Sequence, residues 1–273
     1  MKRRVGALIS LFGVLAAAMA LMASGASART PVAPYGAFAG CPSPEENPAV
    51  ELCFYEPIKS GHFQMGNKTV PIEKPMTLSG GIDFNGKVTY SSAGGLSKAK
   101  QKVPGGVIGL TGLTWLLEIL GSSALTLYAT TELAGTPGSP INVPITVPIK
   151  VHLENSVLGP NCYVGSNSNP IQLALTPFTT SPPPPNTPIT GVYPEFGLDP
   201  TRPGVLQAVN GTYVDNSFSA PGASGCVLTL FGFIPISING LVNTQSGLPA
   251  AAGTNETVQN ADVFLVEPKL PYP

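Results

Sequence analysis

The stretch INVPITVPIKVHL, residues 141–153, carries an apolar side chain at every odd position: Ile141, Val143, Ile145, Val147, Ile149, Val151 and Leu153. The even positions and Glu154 are Asn, Pro, Thr, Pro, Lys, His and Glu. Side chains on a strand alternate between its two faces, so this period of two predicts a strand with one face in a core and one in water. Pro144 and Pro148 share a parity, and their missing N–H groups fall on the same side. A ladder on that side would lack donors. The strand is therefore expected to be an edge, or bulged, over that stretch.

Working outward, three Asn-Gly dipeptides lie between β-type runs: Asn85-Gly86, Asn210-Gly211 and Asn239-Gly240. Asn and Gly tolerate positive φ, which a type I′ hairpin needs at both central positions. The three predict hairpins, and hence antiparallel sheet. Further strands are expected at 50–56, 124–133, 171–176, 226–238 and 257–266. Within 226–238 one parity reads Cys226, Leu228, Leu230, Gly232, Ile234, Ile236, Ile238, which predicts a deeply buried face. One segment has helical spacing instead: Leu113, Leu116, Leu117 and Leu120, between Thr111 and Gly121, with the sole tryptophan at Trp115. It reads as a cap over an open end of the sheets, or as an exposed apolar element for lipid or a partner.

The chain begins with Lys2, Arg3 and Arg4, continues uncharged and mostly apolar from Val5 to Met22, and reaches small residues at Ala26-Ser27-Ala28. This order predicts a signal peptide over 1–28, removed on export, and so a secreted, extracellular protein. A retained membrane anchor is the competing reading. Phe38-Ala39-Gly40-Cys41 resembles a lipidation box, but it stands too far beyond the apolar run to serve as one. Residues 29–40 are expected to form a flexible segment, 41–266 a single antiparallel β domain, and 267–273 a tail. The mature chain would keep eleven Lys and Arg against fifteen Asp and Glu, a net charge of −4. No basic footprint for nucleic acid exists, and no second apolar stretch is long enough to span a bilayer.

Four cysteines in an oxidising compartment predict two disulfides. Of three possible connectivities we favour Cys41–Cys53 and Cys162–Cys226, because the first pair is close in sequence and leaves the second. The second bridge would close over Ser181-Pro-Pro-Pro-Pro-Asn186 and make that stiff run a loop within one domain rather than an interdomain linker.

Chemistry is hard to find. The two histidines, His62 and His152, are far apart, and no cysteine cluster has zinc spacing. His152 falls on the polar parity of the 141–153 strand with Lys150 and Glu154, which predicts a solvated face. His62 sits in Ser60-Gly61-His62-Phe63, near an expected turn. No G-x-S-x-G nucleophile elbow, dinucleotide fingerprint or P-loop occurs, and Gly222-Ala223-Ser224-Gly225-Cys226 fails at its last position. A pair of carboxylates needs no local spacing, so Asp83, Glu195, Asp199 and Asp215 are the acids a glycoside-hydrolase reading would use. Each also reads as a turn former or surface charge, Asp83 before Asn85-Gly86 most clearly.

Several stretches together resemble a family of uncharacterised secreted actinobacterial proteins. They are Val151-His152-Leu153-Glu154-Asn155, Leu158-Gly159, Cys162-Tyr163-Val164-Gly165-Ser166, the SPPPPN run with Pro188-Ile189-Thr190-Gly191, Val214 to Ala223 with Gly225-Cys226, and Gly247 to Gly253. The matching stretches are scattered over residues 70–260, so the resemblance spans most of the mature chain, and it implies that Cys162 and Cys226 belong to one unit. It implies no activity, and Tyr193–Pro200 is more polar and proline-rich than the resemblance leads one to expect.

The expected architecture is all-β, an antiparallel sandwich-like domain with hairpins, one short helix or apolar loop and two disulfides. The expected function is a non-enzymatic structural or binding role, with possible attachment to the cell envelope. The alternatives are a carrier of an apolar ligand held near Trp115 and an extracellular hydrolase with dispersed carboxylates. No cofactor and no metal is called for.

Overall fold

A computed structural model describes residues 29–230 and 233–273. The signal peptide expected at 1–28 lies outside the described residues. In chain order the first strands are β1 (Val50–Met65), β2 (Lys68–Pro71), β3 (Met76–Asp83), β4 (Val88–Thr89), β5 (Gly95–Leu96) and β6 (Lys100–Lys102). Two short helices follow, α1 (Gly106–Thr111) and α2 (Leu116–Leu120). Next come β7 (Tyr128–Leu133), β8 (Ile145–Glu154), β9 (Tyr163–Val164), β10 (Ile171–Leu175), β11 (Glu195–Leu198) and β12 (Leu206–Asp215). The chain continues through β13 (Ala223–Ser224), β14 (Val227–Leu230), β15 (Ile234–Ser237), helix α3 (Asn239–Ser246) and β16 (Glu256–Val266).

One sheet has the order β11-β12-β16-β1-β3-β4, with β2 beside β1 and β5 beside β3. A second runs β13-β9-β8-β7-β6, with β10 beside β8, and β14–β15 form a separate hairpin. Every named pairing is antiparallel. The two large sheets share one core, in which Ile58, Phe63, Met76 and Ala261 of the first meet Ile145, Ile149, Leu153 and Ile171 of the second. The sandwich-like all-β architecture is therefore what the alternating pattern promised. Both disulfides join the favoured partners, Cys41–Cys53 and Cys162–Cys226.

The deciding stretch behaves as two pieces. From Ile145 to Leu153 the odd residues are buried, and Lys150, His152 and Glu154 are half-buried on the other face. Over Ile149–Glu154 the strand is central, paired with β7 on one side. Over Ile145–Pro148 it has a strand, β10, on one side only. On its proline side β7 has ended, and a loop supplies just two donors, Ala134 N–H to Pro148 O at 2.9 Å and Gly138 N–H to Thr146 O at 2.7 Å. That is the local edge expected at Pro148. Ile141 and Val143, however, precede the strand and are exposed.

The three Asn-Gly signals lead to three different structures. Asn85-Gly86 does turn β3 into β4, but as a loop in which only Gly86 is left-handed (φ 79°), not as a type I′ pair. Asn210-Gly211 makes no hairpin. Asn210 (φ 61°) is a bulge inside continuous β12, where the pairing with β16 shifts between Ala208 and Gly211. Its N–H donates to Asp262 Oδ1 at 2.9 Å, which satisfies the displaced backbone. Asn239-Gly240 opens helix α3, and Asn239 Oδ1 accepts from Cys226 N–H at 2.8 Å. The expected 226–238 strand is accordingly folded into the β14–β15 hairpin. Its parity breaks there: Cys226, Leu228 and Ile238 are buried, but Ile234 and Ile236 are exposed.

The segments expected to be loose are packed. A 3-10 helix over Gly36–Phe38 places Phe38 in full burial. Tyr35, Phe38 and Cys41 form a second apolar cluster with Cys53, Val205, Val266 and Tyr272, on the outer face of the first sheet. The Tyr272 hydroxyl donates to Cys41 O at 2.8 Å, and Val32 N–H donates to Pro271 O at 2.9 Å. Residues 29–40 and 267–273 thus cover an apolar face that would otherwise meet water, and that burial orders them. The SPPPPN run is fixed to the same body as the rest. Asn186 Nδ2 donates to Asn216 O and to Asn255 O, both at 2.8 Å.

Candidate functional site

The catalytic candidates dissolve into structural roles. Asp83 Oδ1 accepts from Asn85 N–H and Lys87 N–H, at 2.9 and 2.8 Å, and so shapes the β3–β4 turn. Asp215 is buried. Its Oδ2 accepts from Ala174 N–H at 2.7 Å and its Oδ1 from Ser217 N–H at 2.8 Å, which stitches β10 of one sheet to β12 of the other. Asp199 accepts from the Thr201 hydroxyl and from Arg202 Nε, each at 2.7 Å. Those hydrogen bonds, the Thr201 one first, hold its carboxyl down to about 2. The guanidinium it steers lies 4.4 Å from the Phe264 ring and 5.6 Å from that of Phe38, within cation–π range. Glu195 is exposed on β11.

These four acids do not meet. Glu195 on β11 and Asp83 on β3 are four strand spacings apart, about 19 Å laterally. Glu195 and Asp199 are four residues apart along an extended chain, about 13 Å. Asp215 lies six positions beyond Val209, the partner of Glu195, which with one residue taken up by the bulge at Asn210 is about 17 Å along the strand. A glycosidase pair needs carboxyls roughly 5–10 Å apart, closer than these strand spacings place Glu195 to the other three.

His152 is on the polar face, as its parity implied. Its ring stacks on Tyr163 at 4.4 Å and its Nε2 sits 2.9 Å from Pro160 O. Glu154 and Ser156 share a shallow hollow with it, but no hydrogen bond joins any two of the three. Glu154 is engaged with Lys100 and Thr130 instead, and these contacts, against the opposing effect of partial burial, hold its carboxyl below the usual range. His62 is not at a turn. It lies within β1, where its Nε2 sits 3.1 Å from Glu256 Oε1 across the ladder. Among the described residues no group of three or more His, Cys, Asp or Glu side chains is placed to hold a metal.

What the fold builds instead is an apolar groove of about 500 Å³. Its floor is the inner face of the first sheet at the end that the second sheet leaves uncovered. Cross-strand pairing lines up Leu198, Leu206 and Leu265 in one row, and Phe196, Ala208 and Val263 in the next. Ile141 and Val143, the two residues left over from the alternating stretch, stand at one side with Pro140. Tyr193 and Tyr213 close the other. Phe178, Tyr193 and Phe196 form an aromatic ladder at this edge, with successive ring centres 5.6 Å apart. Phe196 and Leu198 remain 69% and 68% exposed, so the groove is open and its apolar lining is wet. Gly211 leaves room for the Tyr213 ring, because a Cβ there would come within 2.8 Å of it.

The cavity expected near Trp115 takes a different form. A hollow of about 460 Å³ touches Leu117 but not Trp115, and it is edged by Glu73 and Lys102. Of the Leu113–Leu120 segment only Leu116 is buried; Trp115, Leu117, Ile119 and Leu120 are exposed. The groove was missed because its residues come from distant segments. The legible signal was Tyr193-Pro-Glu-Phe196-Gly-Leu198, in which Phe196 and Leu198 share a parity beside a proline.

Fold and site together define a disulfide-linked β-sandwich with an apolar surface groove at one end. No protein-family model matches the chain, and neither a curated protein nor a solved structure matches it. No helix among the described residues is long and apolar enough to cross a membrane.

Proposed function

We propose that the protein is a secreted, non-catalytic binding protein whose ligand is a small, predominantly apolar molecule held in the β11–β12 groove. The observation that carries this reading is the groove itself. Its volume lies within the range of small-molecule sites, about 300–1,000 Å³, and large apolar side chains from five separated segments converge on it. Leaving Ile141, Val143, Tyr193, Phe196, Leu198 and Leu206 in water is unfavourable, and a ligand that covers them recovers roughly 25 cal/mol per Å² of apolar surface. The two disulfides fit an oxidising, extracellular setting, in keeping with the resemblance to secreted actinobacterial proteins. The scattered acids and the unlinked His152, Glu154 and Ser156 favour binding over hydrolysis.

The test is a titration with a fluorescent long-chain fatty acid. The unsubstituted protein should bind it, and Phe196→Ser with Leu198→Ser should weaken binding by at least about tenfold, because two large apolar contacts are lost. Both side chains are exposed, so the variant should unfold at the same midpoint. No binding by the unsubstituted protein, or equal binding by the variant, defeats the reading.

A further inference from the structure

The opposite end of the sandwich carries a second apolar surface. Ile141 and Val143 of the groove lie just before the first residue of β8, whereas α2 lies near its last. Asn155, directly after β8, donates through Nδ2 to Ala124 O and Thr126 O at 2.9 and 2.7 Å. A ten-residue strand separates the two ends by about 33 Å. At this far end α2 projects Trp115, Leu117, Ile119 and Leu120, and the β14–β15 hairpin presents Phe233, Ile234 and Ile236. The Cys162–Cys226 disulfide anchors the base of that hairpin to the segment joining β8 and β9. Ile119 is 69% exposed and Phe233 74%, and large apolar side chains grouped in water at one end of a fold mark an interaction surface.

The sequence around these tips is almost without charge. Residues 216–255 contain no Asp, Glu, Lys, Arg or His, and residues 103–131 contain only Glu118. Glu73 and Lys102 border the hollow beside Leu117 at the margin of this surface, and other faces are more charged, as with Lys98, Glu132 and Lys150 on the outer face of the second sheet. We infer that this end docks on a lipid bilayer, with α2 and the β14–β15 hairpin entering the boundary between headgroups and acyl chains. A tip whose one charge of its own is Glu118 enters that layer with a smaller desolvation penalty than a charged face, since each charge opposes entry. Two separate projections suit a fluid layer, which closes around each. Trp115, an amphipathic ring at the border of the patch, is the residue type that favours this depth. Because the tip lacks a basic cluster, attachment rests on apolar contact and needs no anionic lipid.

Trp115 is the only tryptophan, so its fluorescence reports this surface alone. On addition of phosphatidylcholine vesicles its emission should shift to shorter wavelength, the protein should sediment with the vesicles, and about 0.5 M salt, roughly three times physiological ionic strength, should leave both unchanged. Ile119→Asp and Phe233→Ser should each lower vesicle partitioning by about tenfold. Both positions are exposed, and an unchanged unfolding midpoint verifies that the variants fold. The groove variant Phe196→Ser with Leu198→Ser should partition like the unsubstituted protein, so that failure of this inference and failure of the groove reading are separable. No spectral shift at any lipid concentration overturns the inference. So does binding that requires anionic lipid and vanishes in salt. A shift that grows with protein concentration without lipid would overturn it in favour of self-association.

Discussion

Glu56 offers a sharp test of the folded structure. It lies on β1, opposite Leu78 of β3, on the inner face of the first sheet, and is only 4% exposed. Its Oε2 has no hydrogen-bond partner, and neither does the buried Tyr90 hydroxyl. Burial alone pushes its carboxyl up to about 7 from a reference of 4.5. Tyr90 and Tyr213 face the same charge. Both phenols are themselves raised, first by burial and then by Glu56, Tyr213 to about 12. The folded state therefore holds a proton that the unfolded state releases between pH 4.5 and about 7. Over that window the unfolded chain binds fewer protons, so stability falls as pH rises. The shift of about 2.5 units corresponds to about 3 kcal/mol lost between pH 4.5 and 7, with no further loss from this group above. The other carboxylates with displaced values, Asp199 and Glu154, are lowered and act below this window. Urea unfolding of the unsubstituted protein should thus give a higher midpoint at pH 5 than at pH 7.5. Glu56→Gln, which keeps the shape and removes the ionisation, should flatten the difference and stabilise the protein at pH 7.5. A midpoint that rises from pH 5 to 7.5, or a Glu56→Gln variant that retains the slope, would refute the reasoning.

Three further outcomes are expected. Replacing Cys162 and Cys226 together by Ser opens a loop with a sequence separation of 64 and should lower stability by about 4 kcal/mol in a chemical unfolding experiment. Asp199→Asn should destabilise by about 1–3 kcal/mol through loss of the charge-assisted bonds to Arg202. Because the Asp199 carboxyl is held low, its contribution is present above about pH 4 and is lost as pH falls towards 2, so the two proteins should converge there. Asn210→Ala should destabilise by about 1 kcal/mol and Asn210→Gly should be close to neutral, since the bulge requires positive φ; thermal melts distinguish them.

The strands that alternate apolar and polar residues over a long run were legible, because burial of one face imposes that period directly. Residues 50–56, 171–176 and 257–266 all lie in or overlap observed strands. The Asn-Gly dipeptides were legible only as sites of unusual backbone freedom. Whether that freedom makes a turn, a bulge or a helix start depends on what pairs alongside: β16 runs past Asn210 and keeps β12 going, whereas nothing holds Asn239 extended. The same limit explains the deciding stretch. Ile141 and Val143 continue its alternation, yet they line a groove with Tyr193 and Leu206 from distant parts of the chain, a proximity that no local period encodes. Trp115 was recognised as either a cap or an exposed element, and only the packing of Leu116 alone into the core separates the two.

β11 has a consequence of its own. It is four residues long, pairs only with β12, and is exposed on both faces, so few contacts resist its opening. Its amides should exchange with solvent far faster than those of β1, which is paired on both sides. A groove floored partly by such a strand should become more ordered if a ligand fills it. Occupation would pin Phe196 and Leu198 and slow exchange along β11 while leaving β8 unchanged. The edge of the sheet would then record whether the protein is empty or loaded, in a form that a passing partner could read.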